Sequence, residues 1–406
     1  MPRRLPVLDI RQFQSDKHAF IESLRDACHT VGFFLLRHDL PDGLAERQLS
    51  VTEQAFDLDW DTKRAVSYTK SPAFRGYMEL GVENTAGKTD HREQYEFAAE
   101  YSTTGTEKRP DWPPYRRLES TNPWPTPQIA TTSLEFAQHT CSVADRIRRG
   151  LCMALGLDEN ALGDVFLDNE IDSTVTATDA TNATTNESVG TTPKVTRTPS
   201  PTCPHWVLKL VSYPPATRFN SSGETVDDTK EEELTSSVDD EQPPQQGVGA
   251  HTDTNFLTLV LQDTVGGLQV YSEGEWIDVP SVDGPSLLVC NLGEQAQVWS
   301  RGYFRATPHR VVPNTSSRRR MSVPLFYNPP LSATIHPLQT KDLPPSRRSV
   351  SAEHWERPQN AMLSSVGENT FKSLARSHPT VFAKHHPDLV LEPNGRIVRR
   401  EHHDEK

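Results

Sequence analysis

At 406 residues, 34% of them hydrophobic, with a formal charge of −13, the chain is long enough to bury a core but too polar to be core throughout. That charge balance disfavours nucleic acid as a partner. No run approaches the roughly 20 apolar residues of a membrane span, so a small-molecule substrate is expected rather than a nucleic acid or a membrane.

In chain order, Met1-Pro2-Arg3-Arg4-Leu5 shows no apolar signal stretch, consistent with a cytoplasmic protein. Residues 16–30 carry Phe20, Leu24, Ala27 and Cys28 at helical spacing, and Val31–Leu36 is a continuous apolar strand. Leu44–Phe56 reads as a helix, and 133–155, with Leu134, Phe136, Ala137, Val143, Ile147, Leu151 and Leu155, as a long amphipathic one against a sheet. His205–Tyr213 is a strand bounded by Pro204 and Pro214-Pro215. From His251 onward, short strands alternate with turns such as Ser272-Glu273-Gly274, Asp283-Gly284-Pro285 and Pro313-Asn314, the pattern of a sandwich or jelly roll. Phe371–Ala375 belongs to a terminal helix.

Two stretches differ from the rest. Residues 169–203 are crowded with Thr, Ser, Asn and Pro, and 220–248 hold nine acidic residues against the single Lys230, leaving −5 for everything else. Such segments bury too little apolar area to offset ordering entropy and read as insertions. The expected organisation is an N-terminal region over 1–168, the first insertion at 169–203, a catalytic region over 204–330 interrupted at 220–248, and an extension over 331–406. Of Cys28, Cys141, Cys152, Cys203 and Cys290, none shows motif spacing; Cys28, Cys152 and Cys290 lie among apolar residues, as buried thiols of a reducing compartment do.

Chemistry concentrates at His251-Thr252-Asp253, which precedes the apolar run Phe256–Leu261, with His309 following 56 positions after the aspartate. Residues i and i+2 of a strand share a face, so His251 and Asp253 can reach one ion while Thr252 points away. Two imidazoles and a carboxylate form the facial triad of non-haem Fe(II), with positions left open for other ligands. Alone, a His-x-Asp pair reads more readily as a capped turn before a strand. The downstream context changes that balance: Arg320-Met321-Ser322 opens another strand-like run, and Arg320 and Ser322 share a face suited to clamping a carboxylate. By itself Arg320 also reads as the end of a solvated basic run, Arg318-Arg319-Arg320.

His251-Thr252-Asp253, Gly266-Gly267-Leu268-Gln269-Val270, Asn291-Leu292-Gly293, His309-Arg310-Val311 and Arg320-Met321-Ser322 occur in the order found in iron- and 2-oxoglutarate-dependent oxygenases, and the chain resembles the isopenicillin N synthase-like branch. Leu5–Asp9, Val31–Leu35 with His38, Arg75-Gly76-Tyr77 and Arg92–Phe97 resemble amino-terminal segments of that family. The chain departs from it at Arg37-His38-Asp39, where Asn-His-Gly is usual, and at Pro308, where Ser or Thr is usual. The resemblance implies a mixed α/β fold with a mainly β core: a double-stranded β-helix (jelly roll) with an N-terminal helical region and a C-terminal helix that covers the mouth. It implies Fe(II) on His251, Asp253 and His309, and 2-oxoglutarate held at its distal carboxylate by Arg320 and Ser322, with O2 as the oxidant. Tyr213 reads equally as a partner of that carboxylate and as a structural tyrosine before a Pro-Pro turn. The products implied are succinate, CO2 and an oxidised small molecule, hydroxylated by default, though desaturation or ring closure uses the same oxidant; a monomer is expected. An oxidase that uses no 2-oxoglutarate shares the Arg-x-Ser pair and stays open, as does a non-catalytic binding or sensor protein on the same fold. Asn291 and Gly293 read as turn formers, and Trp276 and Trp299 as core aromatics. His385-His386 and His402-His403 imply no closed metal site.

Because loop-closure entropy changes by about 0.6 kcal/mol per doubling of length, replacing most of 172–200 and 222–245 by short Gly/Ser connections is expected to leave thermal stability unchanged or slightly raised. Keto-acid decarboxylation is expected to be retained in that shortened chain; a folded, iron-loaded but inactive product would show that an insertion contributes to the site.

Overall fold

Side-chain alternation sorts each central strand into two faces, and the two faces find different partners. The computed structural model describes residues 4–101, 112–166, 204–215, 246–345 and 365–400. The amino-terminal part contains β1 (Val7–Asp9), α1 (Gln12–Ser15), α2 (Lys17–Thr30), β2 (Phe33–Arg37), α3 (Leu44–Asp57), α4 (Trp60–Ala65), β3 (Gly76–Met78), β4 (Asn84–Thr85), β5 (Lys88–Thr89), β6 (Glu93–Ala98), α5 (Pro127–Ala154) and α6 (Gly163–Phe166). There follow β7 (His205–Tyr213), β8 (Val248–His251), β9 (Leu257–Gln262), β10 (Leu268–Ser272), β11 (Glu275–Asp278), β12 (Leu287–Leu292), α7 (Glu294–Trp299), β13 (His309–Val311) and β14 (Arg320–Asn328). The chain closes with α8 (Val366–Ser377), α9 (Pro379–His385), β15 (Leu389–Leu391) and β16 (Ile397–Arg399).

An eight-stranded sheet in the order β1-β2-β12-β9-β14-β7-β6-β3 faces a four-stranded sheet ordered β11-β10-β13-β8. On the outer face of the large sheet, Leu208, Leu210, Leu259, Leu261, Val323 and Leu325 are fully buried and share one apolar cluster with Phe20 and Leu24 of α2, Ala55 of α3 and Phe136 and Leu151 of α5. On its inner face, Phe33, Leu35, Val211, Tyr213 and Val289 pack with Val248, Leu268, Val270 and Val311 of the small sheet. This is the expected jelly roll, with helices bracing the outside.

Local chemistry moves two boundaries away from the hydrophobic pattern. Helix α5 starts at Pro127 rather than near 133, because Thr126 caps it by accepting from Ile129 N (3.3 Å) and proline is preorganised for the first turn. Strand β2 starts at Phe33 rather than Val31, because Gly32, at φ +74°, ends α2 with its N–H on Ala27 O (2.9 Å). A Cβ at Gly32 would lie 2.3 Å from Arg305 O, so no other residue fits.

The first insertion lies outside the described residues, as does the second except for 246–248, which belong to the fold: the Gln246 amide donates to Thr85 O, Lys88 O and Asp90 Oδ1, and Val248 opens β8. The carboxy-terminal helices pack through Phe371, Ala375, Val381 and Phe382 on Phe74, Tyr115 and Leu118. Among the described residues no helix is long and apolar enough to cross a membrane.

Leu325→Ala, at a fully buried position in a central strand, is expected to cost about 2–5 kcal/mol. Val282→Ala, at a residue 83% exposed, is expected to stay within about 0.5 kcal/mol. Urea unfolding midpoints of the two variants check the contrast.

Candidate metal centre

His251 closes β8, His309 opens β13, and the antiparallel register makes them direct cross-strand partners with ring centroids 4.4 Å apart. Asp253 reaches them differently from the same-strand geometry expected of it. Strand β8 ends at His251, and the chain turns through 252–256 before β9. What aims Asp253 is the start of α7: Glu294 N donates to Asp253 O (2.8 Å), Gly293 N to Phe256 O (3.1 Å) and Gln295 N to Asn255 O (3.2 Å). The Thr252 hydroxyl adds a bond to Glu294 Oε1 (2.6 Å). Gly293 is required by proximity, since a Cβ there would lie 2.0 Å from Asn255 O.

Asp253 Oδ1 lies 3.6 Å from Nε2 of each histidine, and one donor atom from each of the three residues falls within 4.8 Å of the others. Both Nδ1 atoms face backbone carbonyls, Gly249 O at 2.8 Å and Thr307 O at 3.1 Å. Each ring therefore donates its Nδ1–H backward and turns the Nε2 lone pair toward the site. On the carboxylate, Oδ2 accepts from the Thr258 hydroxyl (2.5 Å) and the Asn291 amide (2.8 Å), which leaves Oδ1 facing the histidines. Burial raises the Asp253 pKa, but His309, His251 and the Thr258 hydroxyl outweigh it and hold the carboxyl well below its usual range. Burial takes His309 down to about 4 despite the opposing pull of Asp253. Near neutral pH the side chains of Asp253 and His309 are thus in their ligand forms, and the set of two imidazoles and one carboxylate fits non-haem Fe(II). Among the described residues no other group of three histidine, cysteine or acidic side chains converges in this way.

Arg320 opens β14 opposite Tyr213 and is 2% exposed. Its guanidinium carbon sits 4.7 Å from the Tyr213 ring centroid, Nη1 reaches Ser322 Oγ at 3.3 Å, Nη2 reaches Gln262 Oε1 at 3.4 Å, and Nε has no hydrogen-bond partner. It leaves the basic run, whose Arg319 pairs at the surface with Asp57 (2.8 Å), and turns into the space between the sheets.

Sequence reasoning missed Thr258, Gln262 and the role of Asn291. Gly293 shapes a turn as expected, whereas Asn291 supports the carboxylate; a lone amide in the buried strand LLVCNL was the available signal. Trp299 is core, but Trp276 is half-buried with the Arg310 guanidinium 4.1 Å from its ring centroid. His386 is structural, within 2.8 Å of Pro72 O, and His402-His403 lie outside the described residues. At the two departures from the family pattern, Asp39 forms a two-pronged pair with Arg146 (2.6 Å each), and Thr307, not Pro308, supplies the carbonyl behind His309.

Two family models match: the 2OG-Fe(II) oxygenase superfamily over residues 222–329, and the non-haem dioxygenase in morphine synthesis N-terminal region over 5–127. Among curated relatives, a homoarginine-6-hydroxylase of Glycine max is 28% identical, covering 82% of this chain and 86% of its own. A 2-oxoglutarate-dependent dioxygenase of a Dothideomycetidae species is 26% identical, covering 98% and 95%. Among solved structures, a full-length Neurospora crassa protein in complex with alpha-KG superposes with a TM-score of 0.61 at 21% identity, covering 91% of this chain and 96% of its own. The rice dioxygenase for auxin oxidation gives 0.55 at 20%, covering 92% and 99%. The chain belongs to the iron(II)- and 2-oxoglutarate-dependent oxygenase superfamily. It is an oxidoreductase that uses Fe(II), 2-oxoglutarate and O2.

Asp253→Ala is expected to abolish Fe(II) binding, and Asn291→Ala to weaken it by about 10–100-fold, the usual cost of losing a group that supports a ligand. Thr252→Ala is expected to retain the metal. Anaerobic iron titration of the three variants checks the order.

Proposed function

We propose that His251, Asp253 and His309 hold the Fe(II), that Arg320 and Ser322 hold the distal carboxylate of 2-oxoglutarate above the Tyr213 ring, and that the reaction hydroxylates a small organic molecule. The observation that carries the keto-acid assignment is Arg320: a buried guanidinium whose partners among the described residues are long contacts to a hydroxyl and an amide, with Nε unpaired. A buried charge without a counter-ion is costly, and a two-pronged carboxylate suits its planar fork.

When bound, Fe(II) with 2-oxoglutarate and O2 supplies the oxidising power for a C–H bond, with succinate and CO2 as co-products. The chain's own contribution is orientation and exclusion of water. The carbonyls of Gly249 and Thr307 fix both imidazole tautomers, while Thr258 and Asn291 fix the carboxylate rotamer. Phe33 packs edge-on against the His309 ring at 5.2 Å and keeps that side apolar. Inward-facing Val211, Val289 and Leu35 line the space between the metal ligands and Arg320. The Glycine max relative is named for hydroxylation of homoarginine, which supports hydroxylation of a small molecule here. We read the chain as a cytoplasmic monomer, in keeping with the free buried thiols Cys28, Cys152 and Cys290.

Arg320→Lys is expected to raise the 2-oxoglutarate concentration needed for half-maximal succinate release by about tenfold or more, equivalent to about 1.4 kcal/mol, because an ammonium cannot reproduce two parallel bonds. Unchanged titration, or O2 consumption without the keto acid, would favour the oxidase alternative.

A further inference from the structure

The inner face of the large sheet is unevenly packed. Outward-facing Leu208, Leu210, Val323 and Leu325 are fully buried, whereas the inward-facing residues between them, Val207, Lys209, Pro324 and Phe326, are half-buried. The space between the sheets therefore opens beside β7 and β14. Register sets that opening at the metal end: Phe326 pairs with Thr258 on one side and Val207 on the other, and Thr258 is the residue that grips Asp253.

Beside the apolar Val207, Pro324 and Phe326, this side of the sheet carries a network of charged side chains. Lys209 Nζ, 5.8 Å from the Phe326 ring centroid, lies 3.0 Å from Glu96 Oε2. Arg92 Nη2 is 3.3 Å from Glu83 Oε2 and 3.2 Å from Asp90 Oδ2, and His378 Nε2 is 3.2 Å from Glu83 Oε1. The network hangs from the strand that carries the first histidine, since Gly249 N donates to Asp90 Oδ1 (3.2 Å) and Gly249 O faces His251 Nδ1 (2.8 Å). Gln94 shares the inner face of β6 with Glu96. It is 1% exposed and donates to Met78 Sδ (3.1 Å), yet its Oε1 has no partner.

Three carboxylates, Glu83, Asp90 and Glu96, meet two cations, Arg92 and Lys209. Burial holds His378 below its ordinary pKa, against the pull of Glu83 and Glu96. Burying such a network costs more than burying aliphatic side chains of the same volume, and an unpaired buried amide oxygen adds to that cost. An excess negative charge with an unfilled acceptor is complementary to positively charged N–H donors. We propose that Glu83, Gln94, Glu96, Lys209 and His378 form the substrate subsite, and that it takes the ammonium or guanidinium group of a small molecule whose C–H bond then faces the metal. This rests on the oxygenase assignment above and adds a substrate class to it.

The test titrates anaerobic protein, loaded with Fe(II) and 2-oxoglutarate, with a panel of small amines and guanidines that includes L-lysine, L-homoarginine and agmatine. Each is paired with a neutral counterpart such as L-norleucine and an anionic one such as 2-aminoadipate. At least one cationic probe is expected to bind tenfold or more tighter than its neutral counterpart. Glu83→Gln and Glu96→Gln are each expected to reduce that preference about tenfold while 2-oxoglutarate still binds, which certifies the fold. Glu83→Gln alone decides the matter should Glu96→Gln fail to fold. Absence of cation preference, a preference for the anionic probes, or a preference that survives Glu83→Gln would overturn the proposal. Succinate release driven by neutral or anionic compounds alone would overturn it and leave the oxygenase assignment standing. No 2-oxoglutarate decarboxylation under any condition would instead remove that assignment.

Discussion

A carboxylate buried between two sheets needs hydrogen-bond donors and nearby positive groups to stay ionised, and the centre of this protein is organised around that requirement. Asp253 stays ionised because Oδ2 is occupied by Thr258 and Asn291 while both histidines face Oδ1. Each of those partners sits on a different strand. Thr258 comes from β9, Asn291 from β12, His251 from β8 and His309 from β13. The register of four strands and the closure of one sheet over the other therefore converge on a single side chain, and a slip in any of them would leave a buried charge uncompensated.

The same logic separates the two ends of the interior. At the inner end, Arg320 is a buried cation over an aromatic ring with two weak neutral partners, which suits the carboxylate proposed for it. Along β6 and β7, Glu83, Asp90 and Glu96 are paired with Arg92 and Lys209, so their field is balanced apart from one negative charge. Tyr213 joins the ends: its ring supports Arg320 and its hydroxyl lies beside Arg92. In the reading proposed here, one end takes the fixed co-substrate and the charged residues discriminate among substrates.

Helices contribute by covering the opposite face. The outward Leu and Val residues of β7, β9 and β14 are the best-buried positions of the sheet because α2, α3 and α5 pack over them. That outer layer makes the sheet rigid, and rigidity lets the inner face carry polar side chains that contribute little to stability. The carboxy-terminal segment adds His378 to the charged wall through Glu83, a contact between residues far apart in sequence.

What the sequence determined by itself was whatever depends on local period and on residue type. The strand His205–Tyr213 was legible to the residue, and α2, α3, β9 and β14 within about two, because alternating and helical apolar spacing survive whatever the tertiary partners are. The His-x-Asp pair, the later histidine and the Arg-x-Ser pair were legible as chemistry, since few residue sets suit iron and a dicarboxylate. Tertiary structure decided how they meet. Asp253 proved to lie beyond its strand, aimed by α7 rather than by alternation, and its supports Thr258 and Asn291 looked like ordinary strand and turn residues until β9 and β12 placed them side by side. The inward turn of Arg320, away from its basic neighbours, was likewise settled by pairing with β7 and β9. The charged wall was not legible as a unit, although Arg92–Phe97 stood out as a family-like segment: its members come from the β4–β6 region, β7 and the end of α8, and only sheet register and the docking of the last helices bring opposite charges within 3.0–3.3 Å of each other.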